Sequence, residues 1–273
     1  MIVVNKAKSV VRRLRRLIYY YHHRLYFGEK INWFNQKKSS DTAFLIATGP
    51  SIKRQDLSLL KGQDCYTISN AYLHKDIEII KPIAHGFAAY HQPMDRENYI
   101  QWLKQAEERL PRSTVIYTDY SNRDLIEESS IKVSRSVIYG FYDSFAKWLW
   151  PKYCKSLFLP PQSGPLLMLP LIVSLGYKKI CLLGCDHTTL RNYGKHIENF
   201  YPPKEDPRTG ATDSNVWTDI VDHLKADIVL FEQYRWYATW LEYFGIEVVN
   251  LSDDSWLNIF PISTIEIELQ RKQ

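Results

Sequence analysis

Apolar and polar positions along the chain follow two rhythms. Short apolar, β-branched and aromatic runs fall at Ala43–Ala47, Tyr66–Ser69, Ile83–Phe87, Thr114–Thr118, Lys179–Leu183 and Glu247–Leu251. Runs of this length and composition predict strands. Between several of them the spacing turns helical, at Ile52–Leu60, Arg96–Arg109, Gly164–Leu175 and Ala226–Phe244. Strands alternating with helices predict an α/β fold with a doubly wound, mostly parallel, Rossmann-like sheet. Between Asp186 and Lys225 both rhythms fail, in the polar, aromatic and proline-bearing stretch HTTLRNYGKHIENFYPPKEDPRTGATDSN. A loop that long inside a compact domain is a functional lid or is disordered. Its aromatics favour a lid, placed at about 187–225.

The start of the chain has a different pattern. Val10, Val11, Leu14, Leu17, Ile18 and Tyr21 recur at helical spacing and form one apolar stripe. Lys6, Lys8, Arg12, Arg13, Arg15, Arg16 and Arg24 surround it, with no acid before Glu29. The net charge of +5 is therefore concentrated here. Such a basic amphipathic helix fits an anionic membrane surface. Packing against its own domain is the plainer alternative. A nucleic-acid partner is not expected, because no recognisable binding module accompanies the charge. Asn35 to Asp41 reads as a linker, dividing residues 1–40 from a catalytic unit at 41–273. There is no 18-residue apolar run and no signal-peptide core, so the expected location is cytoplasmic, peripheral on the inner membrane face.

Length and composition narrow the picture further. At 273 residues the chain suits one large α/β domain or a domain with an appendage. Cys65, Cys154, Cys181 and Cys185 sit in apolar contexts without CxxC spacing, which indicates core packing in a reducing compartment.

Two stretches suggest chemistry. In FLIATGPSIKRQDLSLL a strand runs into Thr48-Gly49-Pro50-Ser51. Gly49 would let the backbone approach a ligand closely, Pro50 suits a first helical turn, and Thr48 or Ser51 could cap. This is neither GxGxxG nor a Walker loop, so a phosphate cradle and a merely structural turn both stand. In PPQSGPLLMLPLIVSLGYKKICLLGCDHT a helix opens at Ser163-Gly164, and a strand ends at Gly184 and Asp186. Helix starts and strand carboxyl ends share the ligand face of such a sheet.

ATGPSIKRQDLSLL, TISNAYL and SGPLLMLPLIVSLGYKKICLLGCDH, followed by an aromatic lid, resemble in that order the bacterial CMP-sialic acid-dependent sialyltransferases. The resemblance spans roughly Ala43 to Phe260. It extends to the motility-accessory and hydroxymethylpterin-diphosphokinase-like proteins, which share the SG…LGxxxIxLxGxD pattern. By resemblance, Thr48 stands where the family has an amide side chain at the nucleotide phosphate. Asn70 matches an asparagine near the phosphate and sugar, and Ser163, with Gly164 beside it, matches a serine that meets the donor. The family's arginine three residues before that serine is replaced by Pro160. Of two lid tyrosines that help neutralise the leaving phosphate, Tyr193 matches one; Thr188 stands at the other, with Tyr201 as a substitute.

The resemblance also implies a lid histidine as general base, just ahead of the last long helix. His187, His196 and His223 compete. His223 precedes Ala226–Phe244, His196 has aromatic and polar company, and Asp186 is the next candidate. No Asp-x-Asp occurs, so no metal or other cofactor is expected. The implied function is metal-independent transfer of a nonulosonic acid or related keto-sugar (sialic, pseudaminic, legionaminic or Kdo). It would pass from a CMP donor to a glycan or glycolipid acceptor at the bacterial surface. A homo-oligomer is compatible with this. The alternatives are a pterin diphosphokinase-like phosphotransferase and a non-catalytic membrane-associated scaffold.

Overall fold

Thr42–Ile46, the first strand, is buried at every position because it lies in mid-sheet. The computed structural model describes residues 18, 21, 26–92, 94–144, 146–149, 158–193, 198–208 and 219–271. Its strands are β1 (Thr42–Ile46), β2 (Asp64–Ile68), β3 (Ala84–Phe87), β4 (Val115–Asp119), β5 (Val137–Gly140), β6 (Lys179–Leu183) and β7 (Glu247–Asn250). Its helices are α1 (residues 26–35), α2 (Ile77–Ile80), α3 (Arg96–Arg109), α4 (Arg123–Ser129), α5 (Ile131–Ser134), α6 (Ala146–Leu149), α7 (Gly164–Ser174), α8 (Ile220–Tyr243) and α9 (Ile265–Gln270). All strand pairs are parallel, in the order β5-β4-β3-β2-β1-β6-β7. This is the α/β, Rossmann-like sheet that the alternating pattern predicts.

Alternation along β1 divides the core. Ala43 and Leu45 join one large cluster, while Phe44 and Ile46 join a second on the opposite face. Both faces are covered, as parallel sheets require. On the first face α7 lies across β1, β2 and β3. Its Leu166, Leu167, Met168, Leu169, Leu171 and Ile172 are all fully buried. A helix apolar all round belongs inside a core. Phe27 and Phe34 of α1 are also in this cluster, and Phe27 meets Phe158 edge-on at 5.3 Å. Cys65, Cys181 and Cys185 are buried in the core, and Cys154 lies outside the described residues.

Besides the short helices α2, α4, α5, α6 and α9, which the sequence pattern does not mark, three elements differ from it. Ile52–Leu60 is not one helix but two 3₁₀ turns, Pro50–Arg54 and Leu57–Leu60. Gln55 between them is extended, and the Asp56 carboxylate accepts from Ser58 N, starting the second turn afresh. β5 was not anticipated, being four residues at a sheet edge. The last long helix starts at Ile220, because Asp219 caps it by accepting from Asp222 N at 2.9 Å. His223 therefore lies on its first turn, not ahead of it.

The order of the sheet fixes where a ligand fits. The chain builds outward from β1 to β5, then returns to add β6 on the other side of β1. The crossovers on the two sides diverge there and leave a crevice beyond the carboxyl ends of β1 and β6.

Candidate active site

The loops leaving β1 and β6 are locked together. Ala47 N donates to Leu183 O at 2.8 Å, and Gly49 N donates to Gly184 O at 2.9 Å. A Cβ on Gly49 would stand 2.6 Å from the Asp186 carboxylate and from Gly184 O, so close approach requires glycine here. Gly184 has φ +64°, in the left-handed region that glycine adopts without cost.

Asp186 joins the same junction. One of its oxygens accepts from Ser51 N at 2.7 Å and the other from Ser51 Oγ at 2.5 Å. Burial raises its carboxyl above the ordinary carboxylate value, against the lowering effect of the Ser51 bonds. Its lone pairs hold the 3₁₀ turn at Pro50–Arg54, which makes Asp186 a positioning group. The same contact places Ser51 behind the cleft, fully buried.

The crevice is a cleft of about 270 Å³. Thr48, Gly49, Pro50, Ser163, Gly164, Gly184, Asp186 and Thr188 line it, so eight of the sequence-selected residues converge. Ser163, extended at φ −155°, precedes α7, and it lines the cleft with Gly164 and Pro165 at the start of that helix. The partial positive charge of a helix start favours an anion there.

Five other candidates stand back from the lining. Asn70 is fully buried and accepts from Trp102 Nε1, and it is Trp102 that lines the cleft. Ser51 has been placed above. Tyr193 is on the surface, its ring 5.8 Å from that of His223. His223 is buried, with Nε2 3.2 Å from Thr189 Oγ1 and 3.7 Å from Asp227 Oδ2. Thr189 lines the cleft, so His223 stands one side chain away. Tyr201 is buried, donates to Asp206 Oδ2 at 3.1 Å and accepts from Arg208 Nη2 at 2.8 Å. It braces Arg208 and does not itself face the cleft. His196 lies outside the described residues.

Two further lining residues carry chemistry: His187, one of the three histidines in competition for the base, and Arg208, which the sequence pattern left unassigned. His187 lines the cleft with φ +51°, and its Nε2 is 2.8 Å from the Tyr234 hydroxyl. Burial pushes its imidazole down to about 4, so it is neutral at pH 7. Arg208, in the aperiodic lid, also lines the cleft. The segment that carries it lies over the β1 loop, with Phe200 N donating to Thr48 O at 3.2 Å. Its one sequence signal is a cation inside an aromatic lid. Among the described residues no group of three or more His, Cys, Asp or Glu is arranged to hold a metal ion.

No protein-family model matches the chain, and no curated protein matches it. Among solved structures it is similar to the sialyltransferase CstII from Campylobacter jejuni in complex with cytidine 5′-monophosphate as a substrate analogue. That likeness has 19% identity over 82% of this chain and 86% of that one, with a TM-score of 0.42. It is also similar to the sialyltransferase CST-II in complex with a trisaccharide acceptor and CMP. There the identity is 18% over 81% and 85% of the chains, with a TM-score of 0.45.

Proposed function

We propose that this chain is a glycosyltransferase that moves a nonulosonic acid or related keto-sugar from a CMP donor to a glycan or glycolipid acceptor. The observation that carries the reading is the cleft itself. The two stretches that resemble CMP-sugar-dependent sialyltransferases are distant in sequence, yet Thr48-Gly49 and Ser163-Gly164 line one crevice at the switch point of the sheet.

In this reading the nucleotide phosphate sits at the α7 N-terminus, beside the Thr48, Ser163 and Thr188 side chains. An acceptor hydroxyl attacks the anomeric carbon, the bond to the phosphate oxygen breaks, and the configuration inverts. The lid base takes the hydroxyl proton, and His223 is our assignment for it. The acceptor hydroxyl would take the place that Thr189 Oγ1 holds at Nε2. Donors aimed at the leaving phosphate stabilise charge where it develops.

The test is thermal-shift screening against CMP, CDP, UDP, GDP and ATP, with and without magnesium, followed by transfer assays in EDTA. Stabilisation by CMP and turnover in EDTA are expected. Stabilisation by ATP alone, with magnesium-dependent turnover, would replace this reading with the phosphotransferase. His223→Ala should lower turnover about 10²–10⁴-fold with donor affinity nearly unchanged, since a general base acts in the transition state. Unaltered turnover at saturating donor would remove His223 from the role, and a dead His196→Ala would move the role there.

A further inference from the structure

Arg208 is built into the wall of the cleft. Its Nε donates to Asp206 Oδ1 at 2.9 Å and its Nη2 to Asp206 Oδ2 at 2.7 Å, a side-on bidentate pair. Nη2 also donates to the Tyr201 hydroxyl at 2.8 Å. The guanidinium lies 4.9 Å from the centre of the Trp102 ring. The remaining nitrogen, Nη1, reaches Ser69 Oγ at 3.3 Å. Both Trp102 and Ser69 line the cleft, so Nη1 is the nitrogen on its side.

Exposure separates the two members of the ion pair. The Asp206 side chain is 2% exposed and that of Arg208 is 20% exposed. The carboxylate is sealed behind the arginine, and the arginine keeps an open edge. A buried pair is costly to assemble and adds little stability over apolar packing, so its geometry is more informative than its energy. Here the sealed acid, the tyrosine and the indole fix a planar cation in one orientation, with its outer edge on the ligand space. Arg208 is the cationic side chain among the described residues lining the cleft. The acids on the same lining are already engaged, Asp186 by Ser51 and Glu198 by Lys53 at 3.4 Å.

We propose that Arg208 is a binding residue that docks an oxyanion of the donor, opposite the first turn of α7, with Asp206, Tyr201 and Trp102 as its positioning residues. The inference rests on the nucleotide-sugar reading above for the identity of that donor. It gives the lid a second role, supplying a cation to the cleft. A CMP-activated keto-acid offers two oxyanions, a phosphate and a carboxylate, and Arg geometry suits either.

The experiment is calorimetric titration of the full chain with nucleoside monophosphates, the corresponding nucleosides and free N-acetylneuraminate. Arg208→Gln and Arg208→Lys are compared with the unaltered chain. Asp206→Asn with Arg208→Gln serves as a further variant that leaves no unpaired buried carboxylate if the single change misfolds. Phosphate docking predicts that Arg208→Gln weakens CMP about 10- to 100-fold, the range for a lost charge-assisted bond, with cytidine unaffected. Carboxylate docking predicts the same loss for N-acetylneuraminate instead. Arg208→Lys should retain part of either preference, because charge survives without the planar fork. Unchanged preferences in both the single and the double variant would overturn the proposal while leaving the donor reading intact. If another nucleotide binds in place of CMP, the donor reading fails and Arg208 is judged on that nucleotide. If no nucleotide and no sugar acid binds the unaltered chain, both fall.

Discussion

Gly49 makes the clearest demand on a single residue. Its missing Cβ is the space in which the Asp186 carboxylate and Gly184 O meet the β1 loop. Because one of those neighbours is backbone, Gly49→Ala cannot be relieved by a rotamer change. We expect a loss of about 1–3 kcal/mol in stability from overpacking, with weaker CMP binding. Thermal unfolding and titration measure both, and an unaltered melting temperature would show that the loop has room. His187 makes a different prediction. Burial holds it at about 4, whereas an unfolded histidine titrates near 6.5. Between those values the unfolded chain binds more protons, so stability falls as pH drops from about 6.5 toward 4. The slope from this one residue is at most about 1.4 kcal/mol per pH unit. In urea titrations across that window, His187→Gln should flatten the dependence relative to the unaltered chain. Equal slopes would mean that the imidazole is not buried neutral.

At the scale of elements, the lid and α8 are coupled through the helix start. Asp219 caps α8 through Asp222 N, and His223 occupies the first turn so formed. Removing a cap costs about 1 kcal/mol and frays that turn. Asp219→Ala should therefore lower the melting temperature slightly while reducing turnover more than stability alone would explain, because Nε2 of His223 loses its placement near Thr189. A variant with a lower melting temperature and full turnover would argue that the first turn has no role in the reaction. α7 behaves differently. It is apolar on all sides, carries Pro170 internally and is fixed by the core, so its N-terminus is rigidly aimed at the cleft.

Across the whole molecule, the core reaches further toward the N-terminus than the linker-like composition of Asn35 to Asp41 indicates. Phe27 and Phe34 are buried in the main cluster, and Tyr26 Oη accepts from Tyr139 N at 3.3 Å. Phe27→Ala should cost about 3–5 kcal/mol. Removing residues 1–35 should lower the melting temperature far more than removing residues 1–25, which leaves both phenylalanines in place. The shorter deletion also tests the proposal that the basic segment attaches the protein to anionic membranes. Ile18 and Tyr21 are exposed, and the other members of the predicted apolar stripe, with the basic residues around it, lie outside the described residues. Loss of vesicle co-sedimentation on removing residues 1–25 is expected, and retained co-sedimentation would place attachment elsewhere. Among the described residues no helix is long and apolar enough to cross a membrane.

Local pattern by itself determined the parallel α/β sheet, six of its seven strands and the helices α3 and α7. Buried parallel strands and a fully apolar helix impose their periods on composition. It also marked Thr48-Gly49 and Ser163-Gly164, because turns with glycine and helix starts have local signatures. The break at Gln55, the edge strand β5 and the early start of α8 escaped it, since each depends on a single cap or on one neighbouring strand. Only the tertiary structure decided what the polar side chains do. Asp186 became a tie to Ser51, Tyr201 became a brace, His223 moved behind Thr189, and Arg208 came to the cleft. Those partners are distant or irregularly spaced in sequence, and no periodicity records a contact made by folding a lid over a sheet.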